Sequence, residues 1–229
     1  MIKFYKLLVV LVVLISLYIV FYSTIKRGHE WGGDFAQYLM QAEAIVEGDY
    51  NNLIDLSEYR FENSEKKLGP KYYPWGLPIL ISPIYSINNK IYYIKIFLIG
   101  MCIISMGIIY LLFYNNYGFS KSIIMVVLIA INPIFLNNTN IILSDFPFLT
   151  FCMATLLYIK KIDRLMLLKN KYKILIHISL ISLLIFVSYS IRVIGITLLA
   201  PFYFNLIREI IKDKSRIEFN KSTIYKYLV

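Results

Sequence analysis

Acidic side chains are scarce over most of this chain. Asp145 is the only one between Lys66 and Ile162, and Arg192 is the only charged residue between Ile174 and Ile207. Cysteine is nearly absent. Cys102 and Cys152 both fall inside apolar runs, at a spacing that excludes a disulfide framework and a zinc site and leaves them facing lipid or packing in the core. The two histidines, His29 and His177, have no second metal ligand at useful spacing and read as structural residues. No segment repeats, which argues against the internally repeated architecture of transporters. Polar surface is also short: 17% of the 229 residues are charged, against 59% hydrophobic and 16% aromatic. That balance cannot cover a soluble domain, so the chain reads as an integral membrane protein.

What charge there is carries direction. The net charge of +10 would suit nucleic acid, but the bases cluster between hydrophobic segments, where the excess of Lys and Arg on cytoplasmic loops accounts for them, so no nucleic-acid partner is expected. Leu7 to Ile25 is uncharged and follows Lys3 and Lys6. It is longer than a signal-peptide core and no small-x-small site follows, so it reads as an uncleaved first span with its N-terminus inside. Residues 26–90 then lie outside, with nine acids against seven bases, a balance that a long translocated loop tolerates.

Further spans are expected from about Tyr92 to Tyr114, from Ser122 to Asn137 with a break near Asn132-Pro133, and from Phe146 to Ile159. A loop, Asn115 to Lys121, separates the first two, and 138–145 turns outside. The segment with Lys160, Lys161, Arg164, Lys169, Lys171 and Lys173 against the single acid Asp163 is cytoplasmic by the same rule. Ile174 to Ile207 is too long for one crossing of about 20 residues. One crossing would also strand Arg208, Lys212, Lys214, Arg216, Lys221 and Lys226 outside, whereas two short spans return them to the cytoplasm. Arg192 then sits at the outer turn. Charge bias alone thus puts Asp34, Asp145 and Arg192 on one side, and ionisable groups in such apolar surroundings tend to line functional sites.

The outer loop has its own order. Phe35, Leu39, Ala42, Ile45 and Val46 recur at helical spacing, while Asp34, Tyr38 and Gln41 share another face and Gly48 is a stop. This predicts an amphipathic helix lying on the membrane. Tyr72-Tyr73-Pro74-Trp75-Gly76-Leu77-Pro78 joins rigid turns to aromatics suited to the headgroup layer, and an apolar piece from Ile79 to Ile87 predicts a second interfacial helix.

In order, Gly32-Gly33-Asp34-Phe35-Ala36-Gln37-Tyr38-Leu39, Gly48-Asp49-Tyr50, Tyr73-Pro74-Trp75-Gly76-Leu77-Pro78, Asn132-Pro133, Leu143-Ser144-Asp145-Phe146-Pro147 and Ile191-Arg192-Val193-Ile194-Gly195 resemble the N-terminal half of the GT-C glycosyltransferases, the superfamily of the dolichyl-phosphate-mannose–protein mannosyltransferases. The resemblance covers roughly residues 1–210. It implies transfer of a sugar from a polyprenyl-phosphate donor to a glycan, lipid or protein acceptor on the outer face of the plasma membrane, with Asp34 as the catalytic base. Relatives often pair acids at that point, whereas Gly33 precedes Asp34 here, so no metal site or cofactor is assigned. Relatives also continue with further spans, so the resemblance implies that this chain is a truncated or split product.

The implied chemistry suits the residues. A lipid phosphate is a good leaving group that needs a cation more than an acid, which the planar guanidinium of Arg192 supplies. The acceptor hydroxyl needs a carboxylate, Asp34, to take its proton, with Asp145 orienting the acceptor or Arg192. Tyr38, Tyr72, Tyr73 and Trp75 are candidate substrate contacts. Simpler readings stand beside these: helix caps for Asp34 and Asp145, snorkelling for Arg192, and interface anchoring for Tyr72, Tyr73 and Trp75. Asn137-Asn138-Thr139 matches a glycosylation acceptor but lies too near the membrane.

The expectation is an all-α integral membrane protein of about six transmembrane helices with both termini cytoplasmic. Residues 1–25 form the first span, 26–90 the extracytoplasmic catalytic loop with interfacial helices, 91–211 a five-helix membrane module, and 212–229 a basic cytoplasmic tail. The alternatives are a non-catalytic membrane scaffold and a lipid or solute transporter component.

Overall fold

The computed structural model describes residues 2–26, 28, 34–55, 73–160 and 171–217, and among these the chain is helical with no strand. Helix α1 is Ile2–Ser23, α2 Phe35–Glu47, α3 Gly76–Ile87, α4 Ile91–Ala130, α5 Pro133–Asn138, α6 Asp145–Ile159, α7 Lys171–Ile191 and α8 Leu199–Ile217, with a 3-10 turn at Val193–Leu198 between the last two. Two helices are long and apolar enough to cross a membrane, Phe4–Ser23 within α1 and α4. Much of the apolar surface of α1 is bare: Leu7, Leu11, Val12, Ile15 and Ile19 are exposed, while Leu17 and Phe21 are buried. Such a stripe of exposed aliphatics needs an apolar surrounding.

Helix α4 corrects the expected loop at 115–121. There is no loop; one residue, Gly118, leaves helical geometry at φ 77°, ψ −176°, and helix continues on both sides. Glycine visits positive φ without steric cost, so a single residue can redirect the chain. Contacts at either end define the course. The Lys6 ammonium lies over the Phe119 ring, and Thr24 Oγ1 hydrogen-bonds Thr139 Oγ1 at 2.5 Å. The stretch after Gly118 therefore runs alongside α1, from its first turns to its end. It breaks at Asn132-Pro133 as the sequence suggests, with the Asn132 side chain accepting from Ile134 N–H and α5 beginning at the proline.

The main core gathers Phe21, Phe35, Leu77, Ile94, Leu98, Cys102, Met106, Val126 and Phe146 from five helices. Thr150 Oγ1 donates to Met101 O at 2.7 Å, joining α6 to α4. Ile159, Ile181, Ile185 and Leu198 make a second cluster under the α7–α8 hairpin. That hairpin reverses around Arg192, as its lone charge suggests, and closes tightly: a Cβ on Gly195 would lie 2.5 Å from Ser188 C and Tyr189 N. Helix α8 runs on through residue 211 to Ile217, so the expected tail begins inside a helix.

The loop helices are more embedded than an interfacial position requires. The two pack on each other, and the Tyr85 hydroxyl donates to Glu43 Oε1 at 2.8 Å. In α2 the inward face carries Phe35, Tyr38, Gln41, Ala42 and Ala44, while Val46 is exposed. The expected division of faces is therefore corrected: Tyr38 and Gln41 point inward with part of the apolar set, because α2 packs on α3. Gly48 ends the helix in the left-handed conformation, as expected. Helix α3 starts three residues before Ile79 and buries Gly76, Leu77, Pro78 and Ile81.

Candidate functional site

Four segments leave or enter helices at one end of the bundle. Asp34 precedes α2, Tyr73-Pro74 leads into α3, Ser144 precedes α6 and Arg192 follows α7. One open cavity of about 520 Å³ is lined by Asp34, Tyr38, Tyr73, Pro74, Ser144, Ile191, Arg192, Val193 and Ile194. Four of the residues singled out from sequence thus share one space. Asp145 stands beside it: its Oδ1 accepts from Arg192 Nη1 at 2.6 Å. Trp75 takes the cap position before α3 and does not line the cavity, and Tyr72 lies outside the described residues, as do His29 and Gly32-Gly33.

A close backbone contact fixes the walls. A Cβ on Gly76 would sit 2.4 Å from Ser190 C and 2.5 Å from Ile191 N, so only glycine lets α3 start against the end of α7. This sets Tyr73-Pro74 next to Arg192. The Tyr38 and Tyr73 rings meet edge to face at 5.8 Å and give the cavity an aromatic side.

The cap readings of both aspartates give way to other contacts. Asp34 occupies the N-cap position but its side chain caps nothing; Oδ1 accepts from the Tyr73 hydroxyl at 2.7 Å. That bond to the Asp34 carboxylate, aided by burial and by the carboxylate's charge, pushes the Tyr73 phenol up to about 12, so it stays protonated and donates. Tyr38 is also raised, chiefly by burial, against the opposing effect of its hydrogen bond with Ser144. The cap position of α6 falls to Ser144, and Asp145 is in the first turn with its carboxylate on Arg192. Both partners of that pair are more than a third exposed, 43% for Arg192 and 37% for Asp145, so the pair contributes on the order of 0–1 kcal/mol. Arg192 also lies over the Phe148 ring at 6.0 Å, which holds the guanidinium plane without using its donors.

No protein-family model, curated protein or solved structure matches this chain. The resemblance to the GT-C glycosyltransferases rests on its motifs. Among the described residues no group of three or more His, Cys, Asp or Glu is placed to share a metal ion. His177 Nδ1 is 3.1 Å from the Tyr158 hydroxyl, far along the chain from the cavity residues.

Sequence reasoning missed three contributors. Ser144 and Gly76 stand in the sequence motifs without a role of their own at the site. Lys95 went unnoticed although it is wholly buried in α4, and a lysine inside an apolar span with no acid near it in sequence was a usable signal.

Proposed function

We propose that this chain is a membrane glycosyltransferase that moves a sugar from a polyprenyl-phosphate donor to an acceptor on the extracytoplasmic face. The observation that carries the reading is the single cavity with the Asp34 carboxylate and the Arg192 guanidinium in its lining. Arg192 holds the departing lipid phosphate, whose negative charge grows as the sugar–oxygen bond breaks. Asp34 takes the proton of the attacking hydroxyl, held in place by Tyr73. Asp145 keeps Arg192 oriented until phosphate arrives. The tyrosine pair offers ring faces and hydroxyls to the sugar.

The membrane arrangement in this reading has six crossings: α1, the two arms of α4 with α5 completing the second, α6, α7 and α8. Both termini are cytoplasmic and the cavity lies outside, at the plasma membrane. Support comes from the two long apolar helices, from the shorter apolar stretches within α6, α7 and α8, and from the clustering of basic residues in the sequence. The test is purified protein in lipid nanodiscs given polyprenyl-phosphate mannose, glucose and arabinose, with release of polyprenyl phosphate as readout. Release that depends on Asp34 and Arg192 supports the reading. No release from any donor sinks it in favour of the membrane-scaffold alternative.

A further inference from the structure

Lys95 is 0% exposed, and its ammonium donates to Lys26 O at 3.1 Å, Gly28 O at 2.8 Å and Asn140 Oδ1 at 2.9 Å. Three acceptors use all three N–H groups of the protonated amine, and none of the three is a carboxylate. Asn140 Oδ1 also accepts from Lys26 N–H at 2.8 Å, and the bonded Thr24 and Thr139 hydroxyls lie two residues before Lys26 and one before Asn140. One buried cation thus ties the segment leaving α1 to the segment entering α6. Burying an ammonium carries a desolvation cost that an apolar side chain of similar length would avoid. What lysine adds is a fixed relation between two strands of irregular backbone. One leads within a few residues to Asp34, the other to Ser144 and to Asp145, the partner of Arg192.

We propose that Lys95 is a positioning residue for the cavity: it touches no substrate, and it locks Lys26 and Gly28 against Asn140 so that Asp34 keeps its distance from Arg192. The positional lock rests on geometry alone; its effect on turnover rests on the glycosyltransferase reading above. Displacing a base by about 1 Å costs on the order of 100-fold in rate, so a loosened lock lowers kcat and leaves donor KM nearly unchanged. A residue that only filled space would lower the amount of folded protein instead.

The experiment places spin labels at Met40 in α2 and at Ile194 in the turn after Arg192, both exposed, in a background with Cys102 and Cys152 replaced by alanine. Electron–electron distance distributions are compared for Lys95, Lys95→Met and Asn140→Leu. Asn140→Leu removes one acceptor and leaves the lysine two, so it keeps the question answerable if Lys95→Met does not insert. Expected are a narrow distribution in the parent and a broadened one in each variant that inserts. Release of polyprenyl phosphate from the best donor of the panel should show at least a 10-fold loss of kcat with KM within 3-fold. Narrow distributions in the variants overturn the lock, and a broadened distribution with unchanged kcat overturns the positioning role. If the parent releases nothing from any donor, the transferase reading fails and the distance distributions alone decide whether Lys95 is a lock.

Discussion

Replacing Gly76 by alanine should damage the cavity although Gly76 itself does not line it. The added methyl would lie 2.4 Å from Ser190 C, 2.5 Å from Ile191 N and 2.5 Å from Ser190 O. All three are backbone atoms and cannot rotate away. Restoring ordinary contact requires α3 and the end of α7 to part by about 1 Å, and overpacking of this kind costs on the order of 1–3 kcal/mol. The same separation carries Tyr73-Pro74 away from Arg192, which for a reaction between fixed groups means a loss on the order of 100-fold. The control is Gly100→Ala, inside α4 with nothing within 4 Å of the new methyl, where removing a helical glycine should stabilise by about 0.5–1 kcal/mol. Thermal unfolding in nanodiscs and polyprenyl-phosphate release, measured on both variants, check the argument. A Gly76→Ala protein that melts and turns over like the parent would refute the close approach and the wall geometry built on it.

Asp34→Asn should lose on the order of 100-fold or more in turnover while still inserting, because the amide oxygen still accepts from Tyr73 but cannot take a proton; retained turnover would return Asp34 to a purely structural partnership with Tyr73. Arg192→Lys should lose at least about tenfold and Arg192→Leu all turnover, since lysine keeps the charge without the bidentate fork; a parent-like rate in Arg192→Lys would favour snorkelling. The raised Tyr73 phenol makes a prediction in alkali. Its contribution to stability is complete below its unfolded value near 10 and is lost as pH climbs towards 12, so Tyr73→Phe should flatten the fall in melting temperature over that window, and parallel curves for the two proteins would contradict it.

Much of the fold was legible because long apolar runs announce helices by their length and by where their charges stop. The first helix, the break at Asn132-Pro133, the Gly48 stop and the reversal at Arg192 all follow from that grammar. The gathering of Asp34, Tyr38, Tyr73 and Arg192 was legible only as a shared side, since charge bias sorts residues by face and says nothing about distance. Three features were not legible. The 115–121 segment is polar enough to suggest a loop, yet its residues keep helical bonds and Gly118 alone makes the turn. The inward face of α2 depends on α3, which no periodicity within α2 reveals. The Lys95 bonds reach backbone carbonyls, which any sequence supplies and none advertises.

The break at Asn132-Pro133 has a consequence for where the chain can sit. In the six-crossing arrangement proposed above, the arm from Gly118 to Ala130 covers only about 18 Å, short of a hydrocarbon layer of about 30 Å, which puts the interruption at a depth that water does not reach. Free backbone N–H groups at such a depth cost several kcal/mol each. Proline brings no N–H to the break, the Asn132 oxygen takes the Ile134 N–H at 2.9 Å, and Asn132 O takes that of Leu136. In water this economy of donors would be unnecessary. In oil it is what allows a helix to stop and start again.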